Sequence, residues 1–147
     1  MGKALKLLFP EEDATEELVK EYGQRLAEAQ NKHLDEDRSF DELVEYKRAI
    51  EKLRNGDAPV IYETVMSAPI RGMGRERFDE IFQLENGDFQ RTVLDEDGIR
   101  ELKRAFEDAI HRLTEAEPEG NWEATLARHI TMCEFALDHG YNIELSS

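Results

Sequence analysis

Apolar positions change period along this chain, and each change marks a different element. "KALKLLF" alternates, with Leu5, Leu7 and Phe9 on one side, which predicts a short strand that Pro10 stops. Asp13 with Glu16 three residues later resembles a capping box, and the acids around it suit the positive end of a helix dipole. Leu18, Tyr22, Leu26 and Ala29 follow at helical spacing and make one apolar stripe. "HLDEDRSFDEL" breaks that helix and starts another, with Ser39 and Glu42 as an S-x-x-E capping box. Leu43, Tyr46, Ile50 and Leu53 form the second stripe, and "RNGDAP" ends it through Gly56 and Pro59.

The middle third reads differently. "VIYETVMS" (60–67) is rich in β-branched and aromatic residues and predicts a strand. "RFDEIFQLENGDFQRTVL" (77–94) reads as a hairpin turning at Asn86-Gly87, since a type I′ turn needs positive φ at both central residues. That register places Leu84 opposite Phe89, Phe82 opposite Arg91 and Ile81 opposite Thr92. One hairpin face then holds Phe82, Leu84, Phe89 and Val93, and with 60–67 it completes a three-stranded antiparallel meander.

Helical spacing returns with Ile99, Leu102, Phe106, Ala109, Ile110 and Leu113, capped by Asp95 or Asp97. After the loop "EAEPEGN", Asn121 is the expected cap of a last helix striped by Trp122, Leu126, Ile130, Cys133 and Leu137. Gly140 ends it, and "YNIEL" alternates as a final strand. The order is β-αα-βββ-αα-β, an α+β fold: four amphipathic helices in two pairs, packed on a small antiparallel or mixed sheet. The competing picture is a mostly helical bundle carrying one hairpin.

The 147 residues imply a single domain spanning 1–147, long enough to bury a core without disulfide or metal. The lone Cys133 has no internal partner, which fits a reduced, cytoplasmic setting. The apolar run at the N-terminus is interrupted by Lys6 and fits neither a signal segment nor a membrane span.

Charge alters the picture more than composition does. The net charge is −15. Residues 11–57 carry −7 and residues 95–147 carry −8, while 1–10 carry +2 and 58–94 only −2. Acid is therefore concentrated toward the two ends. Such a field repels nucleic acid and anionic lipid and speeds encounter with basic partners.

The one basic stretch is "APIRGMGRERF", where Arg71, Arg75 and Arg77 crowd around Gly72 and Gly74. Glycines allow close backbone approach to a phosphate, and arginines grip anions bidentately. The proposed register adds Arg91, so Arg71, Arg75, Arg77 and Arg91 are the candidate sites for an anionic ligand. Against this, the stretch lacks the Lys-Ser/Thr of a P-loop and the third glycine of a dinucleotide fingerprint, and it runs into a predicted strand. The simpler reading is a strand-to-strand turn whose arginines pair with acids such as Asp79 and Glu80.

Other constellations carry less. "LDEDGIRELKRAF" fails the calcium-loop spacing from Asp95, and capping explains its acids; Asp35, Glu36 and Asp37 leave at most weak cation binding. His129 and Cys133, like His111 and Glu115, lie four apart on one helix face, but antiparallel helices offset the pairs by about 7–8 Å. No metal and no cofactor is expected. A mid-helix cysteine has no oxyanion donor to offer, and Cys133 falls in an apolar stripe. Glu63, inside "VIYETVM", is expected to face outward from an edge strand. Trp122, Phe135 and Tyr141 are candidates for an exposed aromatic patch rimmed by acid, against the plainer reading of Trp122 as an anchor in the core.

No motif signals catalysis. The charge pattern points to a small acidic cytoplasmic binding protein that engages a basic partner protein, of inhibitor, immunity-protein or nucleic-acid-mimic type. Glu115, Glu117, Glu119, Trp122 and Glu123 are its candidate contacts. Neither direct nucleic-acid binding nor a membrane is expected. The alternatives are an anionic-ligand domain or enzyme built on the arginines, and an acidic structural or homodimeric domain.

Overall fold

Leu5 and Leu7 lie at the centre of the molecule, on a strand that holds a sheet together from both sides. The computed structural model describes residues 4–34, 44–63, 66–82 and 92–146. Strand β1 (Ala4–Leu8) pairs antiparallel with β2 (Val60–Glu63) on one side and with β4 (Asn142–Ser146) on the other. β3 (Thr92–Leu94) pairs antiparallel with the far side of β4, so the strand order is β2-β1-β4-β3. In register, Leu5 opposes Leu145, and Leu7 lies between Ile61 and Ile143. These side chains form one apolar face, fully buried in the core. Lys6, Tyr62, Glu144 and Val93 fall on the opposite face, as the two-residue period of a strand requires.

The helices are α1 (Glu16–Asn31), α2 (Val44–Arg54), α3 (Ser67–Met73), α4 (Arg75–Ile81), α5 (Glu96–Ala116) and α6 (Glu123–His139). Helix α6 is the central one, packed against α1 on one flank and α5 on the other. Its buried set, which includes Leu126, His129, Met132, Cys133 and Phe135, spreads around much of its circumference, as burial from several directions demands. The fold is α+β, with helices packed on an antiparallel sheet.

The middle of the chain departs from the expected meander. Residues 67–73 and 75–81 are helices, so the β-α-α-β unit at each end is joined by a third helical pair. β2 pairs with β1 and β3 with β4, so the described residues form no three-stranded meander. Phe78, Ile81 and Phe82 explain the change: spaced i, i+3, i+4, they bury one side of a helix, and Phe78 and Phe82 meet at 4.9 Å between ring centroids. Thr92 Oγ1 donates to Phe82 O at 3.2 Å, tying β3 to the end of α4. The turn at Asn86-Gly87, the capping box of Ser39 and Glu42, the acids Asp35, Glu36 and Asp37, and Arg91 lie outside the described residues.

Two caps also move. Thr15, rather than Asp13, caps α1, its Oγ1 accepting from Leu18 N at 3.1 Å. Asp13 instead belongs to a short 3-10 turn, Glu11–Asp13. Trp122, not Asn121, occupies the N-cap of α6, without a side-chain cap bond. Asp95 caps α5 as expected, accepting from Gly98 N at 2.9 Å. Among the described residues no helix is long and apolar enough to cross a membrane.

Candidate functional site

The basic stretch resolves into helix packing. Gly72 is buried in α3, and a Cβ there would stand 2.6 Å from the Cβ of Ala109 and 3.0 Å from its Cα. Glycine therefore lets α3 lie directly against α5. Gly74 has φ 90°, a conformation that favours glycine, and separates α3 from α4. Arg112 Nη1 donates to Met73 O at 2.9 Å and closes the end of α3.

The arginines are already engaged. Arg71 grips Glu117 with both edges of its fork, Nε to Oε2 at 2.6 Å and Nη2 to Oε1 at 3.1 Å. Arg75 Nε meets Asp79 Oδ1 at 3.0 Å, and Arg77 Nη1 meets Asp108 Oδ2 at 2.6 Å. The hydrogen bond from Arg77 lowers the pKa of the Asp108 carboxyl. The three arginines thus reach carboxylates on different segments and do not converge on a shared anion. Arg91 lies outside the described residues.

The C-terminal candidates separate by burial. Glu115 and Glu119 are exposed, Glu117 holds Arg71, and Glu123 Oε2 lies 2.9 Å from His33 Nδ1. Trp122 is only 3% exposed, and its Nε1 donates to Glu117 O at 2.9 Å. Phe135 and Tyr141 are buried as well. These three rings therefore form no exposed patch, and the plainer reading holds: the indole anchors the start of α6 in the core.

His129 and Cys133 share a face of α6, and both are buried. His129 Nδ1–H donates to Thr125 O at 2.7 Å, and burial pushes the ring's pKa down to about 4. Burial pushes the Cys133 thiol well up, opposite to what a nucleophile needs. His111 and Glu115 are exposed on α5. Among the described residues no group of three or more His, Cys, Asp and Glu is placed to hold a metal ion. Glu63 faces inward, contrary to expectation, because its register opposite Leu5 puts it on the helix side of the sheet. There Arg128 pairs with it.

What the fold does bring together is acid from the beginning of the chain and aromatic rings from its end. Glu12 and Asp13 of the 3-10 turn and Glu17 and Glu21 of α1 line a groove of about 380 Å³ closed by His139 and Tyr141. The His139 ring stacks on Tyr141 at 5.3 Å and 23°, and lies 4.2 Å from Phe135. Burial, then a hydrogen bond with Asp13, pushes the Tyr141 phenol up to about 12. Elsewhere on α1, Arg25 places its Nη2 3.2 Å from Asp138 Oδ2 and its guanidinium over the Phe135 ring. Sequence reasoning saw Asp13 as a cap and the first-turn acids as helix-dipole partners, and gave Glu21 no role. The i, i+4 spacing of Glu17 and Glu21 was the available signal, but their neighbours come from a helix more than a hundred residues away. Compared with protein-family models, curated proteins and solved structures, the chain matches none.

Proposed function

We propose that this chain is an acidic cytoplasmic binding protein that engages a basic partner protein through the anionic groove at the junction of α1 and α6. An inhibitor, an immunity protein and a nucleic-acid mimic all work in this way. One observation carries the reading. Glu12, Asp13, Glu17 and Glu21 line a single concavity, and none of the four forms an ion pair among the described residues. By contrast, Glu117, Asp108 and Asp79 are each neutralised by an arginine. Carboxylates without a cationic partner in a concave site focus a negative potential, which the net charge of −15 reinforces.

Association of this kind is fast and salt-sensitive. The test is affinity capture from native cytosol at low and then raised salt, with the bound proteins identified, using both the wild type and the Glu17→Lys, Glu21→Lys variant. The expected result is a basic protein that is lost with salt and absent from the variant. Capture indifferent to both changes would refute the reading. The anionic-ligand alternative has less support, because Arg71, Arg75 and Arg77 are each occupied by a carboxylate.

A further inference from the structure

The acidic groove is one end of a longer seam between α1 and α6. Beyond the Arg25–Asp138 pair lies a second groove of about 390 Å³. Its half-buried apolar lining is Ala29 of α1, Ile110 of α5, and Ala127 and Ile130 of α6. The cause is architectural. α1 and α5 pack on opposite flanks of α6 and not closely on one another, so the outward strip of α6 stays uncovered. Alanines at 29 and 127 keep that strip concave.

Charge defines what fits there. Glu28 and Glu134 stand beside the apolar lining, and neither makes an ion pair among the described residues. Of the nearby cations, Arg25 is committed to Asp138 and His33 to Glu123, which leaves Lys32. Glu17, Glu21 and Glu28 of α1 and Lys32 at its C-cap follow one another along a single stripe, about 22 Å from first to last. That is the length of roughly four turns of a second helix.

We propose that an amphipathic, cationic helix of the partner lies along this seam. Its apolar face covers Ala29, Ile110, Ala127 and Ile130, and its lysines or arginines reach Glu28, Glu134 and the Glu17–Glu21 groove. The inference rests on the reading of the protein as a binder of basic partners and adds the shape of the recognised element. Apolar anchors at i, i+3, i+4 and i+7 are what a helix-lined groove accepts. An extended polycation would satisfy the carboxylates yet leave the isoleucines uncovered. A second copy of this chain brings the same −15 charge to the surface and is repelled.

The test uses a synthetic peptide of about 15 residues, leucines on one helical face and lysines on the other, matched to the length of the seam. Its control has the same composition in shuffled order, without an apolar face. Each is titrated into isotope-labelled protein while backbone amide resonances are followed. The expected result is shifts at Ala29, Ala127 and Ile130, and binding about tenfold tighter than the shuffled peptide. Ile130→Lys should weaken the amphipathic peptide by about tenfold or more, and Glu134→Lys, at the half-buried rim, should do likewise. Equal binding of both peptides, centred on Glu17 and Glu21, overturns the helix groove and leaves the anionic-surface reading standing. No binding by either peptide overturns both. An unchanged affinity in Glu134→Lys overturns the groove, as do shifts at Ile130 that grow with the protein's own concentration, because a second copy is then the occupant.

Discussion

Arg128 of α6 places its Nη2 3.0 and 3.2 Å from the two carboxylate oxygens of Glu63, at the end of β2. The carboxylate is 3% exposed, so this pair ties the central helix to an edge strand through a desolvated contact. Tyr22 lies within its field: burial, and then the Glu63 charge, raises the phenol's pKa well above its ordinary value. Removing one partner strands the other charge. Glu63→Ala should therefore cost about 3–5 kcal/mol, read as a lower urea midpoint. Glu63→Leu combined with Arg128→Met should cost far less, since neither charge is left buried alone.

Gly72 inverts an ordinary rule. Glycine to alanine inside an exposed helix is stabilising by about 1 kcal/mol. Here the new methyl would meet Ala109 Cβ at 2.6 Å, with backbone close behind. Gly72→Ala should lower stability by about 1–3 kcal/mol, the usual cost of overpacking. Gly72→Ala with Ala109→Gly should recover part of that loss, and thermal unfolding of the three variants measures it.

These two contacts mark the boundary of what the sequence shows. Alternation at Leu5 and Leu7 and the long stripe from Ile99 to Leu113 fixed β1 and α5, because strong periodicity over enough residues admits one answer. "RFDEIF" admits two. Phe78, Ile81 and Phe82 suit a helix, yet the neighbouring Asn86-Gly87 and the β-branched run before them favoured a hairpin, and over seven residues the periods do not separate. Gly72 and Gly74 read as loop punctuation, whereas Gly72 is there for Ala109. The inward turn of Glu63 depended on which strand it pairs with. The meeting of Glu17 and Glu21 with His139 depended on α1 lying beside α6. Neither pairing leaves a local trace.

His129 gives stability a dependence on pH below neutrality. Its folded pKa is about 4 against an ordinary 6.5, because burial disfavours the imidazolium. The unfolded chain binds this proton first, so between pH 6.5 and 4 acid favours unfolding. The contribution is complete above pH 6.5 and lost as pH falls toward 4, in all on the order of 3 kcal/mol. His129→Phe removes the titration beside Phe106, whose ring lies 5.4 Å away. Its stability measured by denaturant across this window should fall less steeply with acid than that of the wild type, even if it begins lower for want of the bond to Thr125.

Arg71 and Glu117 decide whether the basic stretch is a site. Their pair joins α3 to the residue that follows α5, and the same Glu117 accepts the Trp122 indole hydrogen through its carbonyl. Both side chains are substantially exposed, which limits the ion pair to about 0–1 kcal/mol. An external phosphate would have to displace Glu117 from Arg71 and Asp79 from Arg75, trading one charge-assisted bond for another. Arg71→Ala with Arg75→Ala should therefore change the melting temperature little, and phosphate should raise it no more in the wild type than in the variant. A phosphate-dependent rise confined to the wild type would instead mean a ligand that binds the folded state by way of these arginines. The stretch would then be a cradle after all, with its carboxylates acting as stand-ins for the anion.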